Sequence, residues 1–327
     1  MKKLIMGGLS TMIAVVLLIG CNAGPTESVA TTSEQYPEKP ITLIVPWKAG
    51  GETDVSARAL ASFAEERLKV PVVVENKEGG AATIGTAEAA KAKGDGYTIL
   101  VATPGPNVCQ LLLDEQPYDV DSFKGICMFT RKDIAIVAKA GSEFKTLDDV
   151  AQASPNSLSY GVQKGTYNHV LFEAFLQQAG VEGAKHIPVT GGPEGNTNVL
   201  NGTTDLYISA SLSLVQPLIE SGDLQLVGTF SDVRTEAYPE VPTAQDLGYD
   251  VVGNTWCGLL VPATTPDEIV NEVEACFKEL VEDPEFVELL SGMGDQPYYL
   301  DGKSFSQMIA TDVEKLKPIV EMAGINK

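Results

Sequence analysis

The chain has 327 residues, with 44 Asp or Glu against 23 Lys or Arg and a formal charge of −21. That balance argues against nucleic acid as a partner, which needs a basic footprint. It also means that an anionic ligand must be held by local dipoles and not steered in by net charge.

Lys2 and Lys3 precede a largely apolar run from Leu4 to Ile19 that closes on Leu18-Ile19-Gly20-Cys21. The run is short for a membrane span, which needs ~20 apolar residues, so a signal segment over 1–20 is expected. The closing tetrapeptide resembles a bacterial lipobox, which would make Cys21 a lipidated N-terminus; a signal-anchor with an incidental cysteine is the alternative. Residues 21–35 have the small, polar composition of a flexible tether. What remains, 36–327, is long enough for two domains.

The stretch Tyr36 to Leu60 sets the pattern for the rest. An apolar run, Ile41 to Val45, ends at Pro46-Trp47, passes through Gly50-Gly51, and feeds a helix from Thr53-Asp54 with Val55, Ala59, Leu60 and Phe63 on its apolar face. A strand ending in a glycine loop at a helix N-terminus leaves free N–H groups and a positive dipole end, a ready anion site. Val70 to Glu75 predicts a second strand, followed by Gly79-Gly80-Ala81-Ala82-Thr83 and an Ala-rich helix over 84–92. Tyr97 to Ala102 predicts a third strand that opens into Thr103-Pro104-Gly105. Ile134 to Ala138 is another apolar run, and Thr146 to Asp149 is a helix start.

Ser157 to Gly161 leads through Gly165-Thr166 into a helix over 167–179, which carries Asn168 in its first turn. Strands are expected at 186–189, ending in Thr190-Gly191-Gly192, at 205–209 beginning with Asp205, and at 224–230, with a helix around 212–220. An apolar stretch at 251–261 precedes helices at 267–282, 284–291 and 303–323. Alternating β-branched runs and helical patterns indicate an α/β architecture with mainly parallel sheets. Four strand-to-helix loops carry small or hydroxyl residues. Each alone is ordinary capping chemistry, but together they mark strand C-terminal ends, where ligands sit in such folds.

The cysteines after Cys21, namely Cys109, Cys127, Cys257 and Cys276, form no CxxC pair and have apolar surroundings. Buried thiols are expected, with a Cys109–Cys127 disulfide as the alternative that export would permit. No Gly-x-Ser-x-Gly elbow or phosphate-loop signature is present, and His169 and His186 are the only histidines. The reading is therefore non-enzymatic, with no metal and no cofactor.

Several segments together resemble the extracytoplasmic solute receptors of tripartite tricarboxylate transporters, the Bug proteins. They are YPEKPITLIVPWKAGGETD (36–54), VVVENKEGGAATIG (72–85), GDGYTILVAT (94–103), PYDVDSF (117–123), YGVQKGTYNHVLFEAF (160–175), HIPVTGG (186–192), VRTEAYPEVPTAQDLGY (233–249), WCGLLVPATTP (256–266) and FSQMIATDVEKLKPIVEMAG (305–324). The resemblance implies a two-domain periplasmic binding protein of the Venus-flytrap type (type II), with a double interdomain crossover. Domain one would be 36–131 plus 256–327 and domain two 132–255, with hinges at Ile134–Ala138 and Trp256–Val261. It further implies a monomeric, membrane-tethered receptor. A small carboxylate (a di- or tricarboxylate, an aromatic acid or an amino acid) would bind between the domains and pass to membrane permease subunits. A sensor that shows its closed form to a signalling partner would use the same cleft.

The resemblance places the cleft at Trp47, Gly50, Gly51, Thr53, Asp54, Ala81, Ala82, Thr83, Thr103, Thr166, Asn168, Thr190 and Asp205, although Trp47 could serve only in packing. Two departures stand out. Glu52 occupies a small-residue position, where a carboxylate opposes a bound anion unless it turns to solvent or pairs with Lys48; alternatively Glu52 or Asp54 holds an amine or hydroxyl of the ligand. Val189-Thr190-Gly191 replaces the usual Tyr-Lys/Arg-Gly.

Overall fold

A computed structural model describes residues 36–293, 295–323 and 325. The signal segment 1–20, Cys21 and the tether 21–35 fall outside the described residues.

The chain makes three passes. The first is β1 (Ile41–Val45), α1 (Glu52–Leu68), β2 (Val72–Asn76), α2 (Thr83–Ala90), β3 (Thr98–Ala102), α3 (Gln110–Leu113) and β4 (Phe123–Asp133). The second is β5 (Ala135–Lys139), α4 (Leu147–Ala151), β6 (Ser159–Val162), α5 (Tyr167–Ala179), β7 (Lys185–Pro188), α6 (Gly192–Asn201), β8 (Leu206–Ser209), α7 (Gln216–Glu220) and β9 (Leu224–Thr229). The third is β10 (Asn254–Pro262), α8 (Asp267–Val281), α9 (Pro284–Gly292), β11 (Gln296–Asp301) and α10 (Gly302–Ala323).

Passes one and three build a first sheet, ordered β11-β4-β10-β3-β1-β2, and pass two builds a second, ordered β7-β6-β8-β5-β9. Within them β1 runs parallel to β2 and β3, and β6 parallel to β7 and β8. The strands next to the crossovers pair antiparallel, β10 with β3 and β4, and β5 with β8 and β9. The reason is chain direction. A βαβ unit returns the chain to the same edge for a parallel strand, whereas a strand arriving from the other sheet enters at the opposite end.

The first crossing is Ile134 alone, between Asp133 of β4 and Ala135 of β5; the rest of the expected hinge, Ala135 to Ala138, belongs to β5. The second corrects the reading. Trp256–Val261 is interior to β10, flanked by β3 and β4, and residues 230–253 make the connection. Strand β4 was not foreseen, because its charged end (Arg131-Lys132-Asp133) hides the apolar run before it. Helix α6 has Gly, Pro and Asn at most of its positions, so propensity gave no signal for it; β11 likewise went unread.

Both crossings are tied at Asp133, which is 3% exposed. Its carboxylate accepts hydrogen bonds from Ser231 Oγ (2.6 Å), Asn254 Nδ2 (2.9 Å) and Gln296 Nε2 (2.9 Å). A buried carboxylate left without such donors would be strongly destabilising. Helix α10 packs on β4 and against α5, and Tyr167 on α5 donates to Asp312 Oδ2 at 2.7 Å. One apolar cluster, including Leu100, Met128, Tyr160, Ile208, Trp256 and Phe305, therefore runs through both sheets along that seam.

Helix α1 buries Ala57, Leu60, Ala61 and Ala64 against α8 and α9. Val55, expected on that face, is 45% exposed, while Asp54 and Ser56 are buried in its place. Hydrogen bonds, not hydropathy, decide this turn. The four described cysteines are free thiols, three buried and Cys276 half-buried.

Candidate functional site

The C-terminal ends of the parallel strands in the two sheets face each other. Gly165, after β6, lies against Leu113 of the first-sheet pass, where an added Cβ would sit 3.1 Å from Leu113 Cδ1. Thr255 at the start of β10 donates to Ala210 O, after β8, at 2.8 Å. The loops after β1, β2 and β3 thus form one wall and those after β6, β7 and β8 the other.

On the first wall, the N-terminus of α1 has no side-chain cap: Gly51 occupies the N-cap position. The loop before it is closed from within by Asp54, which is 1% exposed. The Asp54 carboxylate accepts Gly50 N (2.8 Å), Arg58 Nε (2.9 Å) and Asn76 Nδ2 (2.8 Å), and Asn76 also donates to Trp47 O. Burial alone would raise its pKa, but the donors from Arg58, Gly50 and Asn76 outweigh that and hold it below the ordinary carboxylate value. Trp47 Nε1 donates to Thr103 Oγ1 at 3.1 Å, and its ring lies against Gly105. Thr53 hydrogen-bonds the Cys257 thiol, whose burial pushes its pKa up to about 12.

The loop after β2 is conformationally unusual. Gly79, Gly80, Ala81 and Ala82 all have positive φ (126°, 57°, 53° and 74°). Two alanines in the left-handed region cost on the order of 1–2 kcal/mol each. Such strain persists only where the surroundings enforce it, and it clusters at ligand clamps. Thr83 Oγ1 closes the turn on Gly80 O at 2.8 Å.

On the second wall, Thr166 is the N-cap of α5 and donates its hydroxyl to Gln163 O at 2.7 Å. Gly165 N donates to His169 Nδ1 at 3.0 Å, so His169 fixes this turn. Thr190 is exposed, and its N–H and hydroxyl both donate to Glu194. Asn168 turns inward and donates to Ile208 O at 2.8 Å, tying α5 to β8. Asp205 is not brought to the cleft. It accepts from Ser159 N and Oγ at the starting ends of β6 and β8, opposite the Gly165-Thr166 turn. The strand was read correctly, but the end of it that faces the cleft was not.

The structure adds residues that the sequence reading missed. A cavity of about 610 Å³ lies between the walls, lined by Lys132, Asp295 and Gln296 on one side and Ser211, Ser213 and Val233 on the other. None of the thirteen expected residues lines it. It joins them through Lys132, whose side chain is 6% exposed and whose Nζ bonds Glu52 Oε1 at 2.6 Å and Asp295 Oδ1 at 2.7 Å. Burial lowers the Lys132 pKa, but Cys257, Glu52 and Asp295 around it prevail and raise it above the ordinary value. Asp295 is held by Ser56 Oγ as well, at 2.6 Å. Glu52 therefore pairs with Lys132, not with Lys48. The two pairs differ in strength. Breaking the buried Lys132–Asp295 pair would strand a charge at a cost of about 3–5 kcal/mol, whereas Glu52, 49% exposed, contributes about 0.2–1 kcal/mol. The one hint in the sequence was the charged triplet Arg131-Lys132-Asp133 directly before a buried run.

The sequence pattern of the tripartite tricarboxylate transporter family receptor matches residues 56–325. The chain belongs to that family. The receptor is 28% identical over 324 residues to protein BugT of Bordetella pertussis, covering 97% of this chain and 98% of that one. A solved solute-binding protein from Polaromonas superposes with a TM-score of 0.80 at 27% identity, covering 88% of the receptor and all but 1% of the other chain (99%). A protein of R. palustris solved with adipate shares the fold, with a TM-score of 0.71 at 24% identity over 88% of the receptor and 98% of that chain. The receptor is thus a solute-binding protein of the two-lobed periplasmic class and not an enzyme. No helix among its described residues is long and apolar enough to cross a membrane.

Proposed function

We propose that the receptor captures a small carboxylate between its two lobes and delivers it to the membrane subunits of a tripartite tricarboxylate transporter, tethered meanwhile through lipid on Cys21. The first lobe is 36–133 with 254–327, two residues beyond the expected bounds at the end of β4 and the start of β10, and the second is 135–229, with motion about Ile134 and residues 230–253. The observation that carries the reading is the uncapped N-terminus of α1, opening at the end of β1. Free amides at a helix N-terminus hold a carboxylate without a basic side chain, which suits a chain of net charge −21. A protein of the same fold holds adipate.

In this reading Thr53 offers a backbone N–H at the start of α1 and Ala81 a second from the strained loop, while Gly50 N, Gly51 N and Thr83 N hold the loops in shape by donating to Asp54, Lys48 O and Gly80 O. Thr166 and Thr190 close from the second lobe. Trp47 covers the ligand, with Thr103 fixing its ring. Asp54, Ala82 and Asn168 shape the loops without touching the ligand. Binding between the lobes favours the closed arrangement by the difference in affinity of the two arrangements.

The test is a thermal-shift screen of protein beginning at residue 22, with mono-, di- and tricarboxylates, aromatic acids and amino acids. A ligand at a hundred times its Kd adds about 2.7 kcal/mol to native stability. Carboxylate hits support the reading, and silence across the panel refutes it. Hits confined to amines would move the recognition to Glu52.

A further inference from the structure

Glu52 is the residue whose chemistry contradicts its place. It stands at the first helical position of α1, beside the amides assigned to the ligand, and carries the same charge as that ligand. The structure shows what the carboxylate does there: it holds Lys132, which lines the cavity between the lobes. The second partner of Lys132, Asp295, is 6% exposed and anchored by Ser56. The Glu52 carboxylate is half-exposed and has no other partner among the described hydrogen bonds and ion pairs. Of the two carboxylates on Lys132, one is built in and the other can leave.

We infer that Glu52 is an internal stand-in for a carboxylate of the ligand, occupying Lys132 until a dicarboxylate displaces it. The inference rests on the carboxylate reading above and names its class. One ligand carboxylate takes the α1 amides, and the other replaces Glu52 on Lys132 while Glu52 swings to solvent. Each exchange keeps Lys132 between two carboxylates, so no buried charge is stranded. Ser211 and Ser213, hydrogen-bonded to each other at 2.7 Å on the facing wall, supply hydroxyls for the same end of the ligand. A monocarboxylate reaches only the amides and leaves Glu52 where it is. Glu52 thus acts as a filter, because a ligand gains Lys132 only by bringing a second carboxylate to outcompete it.

The experiment is isothermal titration of wild-type protein and E52Q with adipate, succinate and hexanoate, with circular dichroism confirming the fold of each protein. Removing the competitor and its like charge tightens diacid binding by up to about five-fold, the worth of a half-exposed pair, and leaves hexanoate unchanged. The same E52Q change in a K132M/D295N background, which removes the cation without stranding Asp295, loses the gain. Diacid affinity unchanged or weakened by E52Q overturns the inference, as does equal tightening of hexanoate or tightening that survives loss of Lys132. Hexanoate binding with no diacid binding in either protein overturns it while leaving the carboxylate reading intact. No binding of any acid by either protein overturns both.

Discussion

Asp312 offers the most quantitative test of how the two lobes are joined. It lies on α10 and accepts the Tyr167 hydroxyl of α5 at 2.7 Å, so this bond links a helix of the first lobe to the helix that begins beside Thr166. Burial pushes its carboxyl from the ordinary 3.8 up to about 6, against the lowering effects of the Tyr167 hydrogen bond and of Lys315. A shift of about two units corresponds to about 3 kcal/mol at 1.36 kcal/mol per unit, and partial exposure of the carboxyl reduces this to about 2 kcal/mol. The sign follows from linkage. The folded state prefers the protonated acid, so this group's contribution is fully present below the unfolded value near 4 and is lost as pH rises through about 6.

Asp312→Asn keeps an acceptor for Tyr167 and never ionises. Urea unfolding followed by circular dichroism, for both proteins from about pH 4 to pH 8, isolates the effect because all other carboxylates cancel in the difference. The variant gains about 2 kcal/mol relative to wild type between those limits, with the change centred between pH 4 and pH 6. A difference that stays flat with pH, or that moves in favour of wild type as pH rises, would refute the argument that Asp312 is held at the seam against its own ionisation.

Three further outcomes are expected. Thr166→Val keeps the shape and removes the hydroxyl; a ten-fold loss of carboxylate affinity by titration, restored in Thr166→Ser, places that group on the ligand, and unchanged affinity removes it. Asp54→Ala leaves Gly50 N, Arg58 and Asn76 without their acceptor, and urea melts should show a loss of about 2–4 kcal/mol with weakened binding; a neutral result would mean that the loop holds itself. Iodoacetamide labelling of the folded protein with peptide mapping should modify Cys276 well before Cys109, Cys127 and Cys257, whose thiols are buried and pushed up in pKa. Equal labelling would show that those three sites open freely.

Most of the architecture was legible from the chain itself. The run Ile41–Val45 before a glycine loop and helix, the capping pair Thr146 and Asp149, and the helix 167–179 closed by Gly180 are local signals, and local hydrogen bonding honours them. Family resemblance across nearly the whole chain supplied the two-lobed plan. What was not legible depends on partners far away in sequence. Asp54 looked like a ligand group and proved to be the tie inside its loop, because Asn76 and Arg58 reach it. Asn168 turned inward for Ile208 O, and Asp205 fell at the wrong end of its strand.

By its own sequence, then, this protein determines most of its elements and the glycine loops that can hold an anion, since those follow from propensity, periodicity and capping within a few residues. Only the tertiary structure decides which charges meet there. Lys132, Glu52 and Asp295 lie at least 80 residues apart in every pairing. Their meeting is set by how β4, α1 and the turn before β11 pack together, because a charge is assigned its partner by distance and burial and not by its neighbours along the chain.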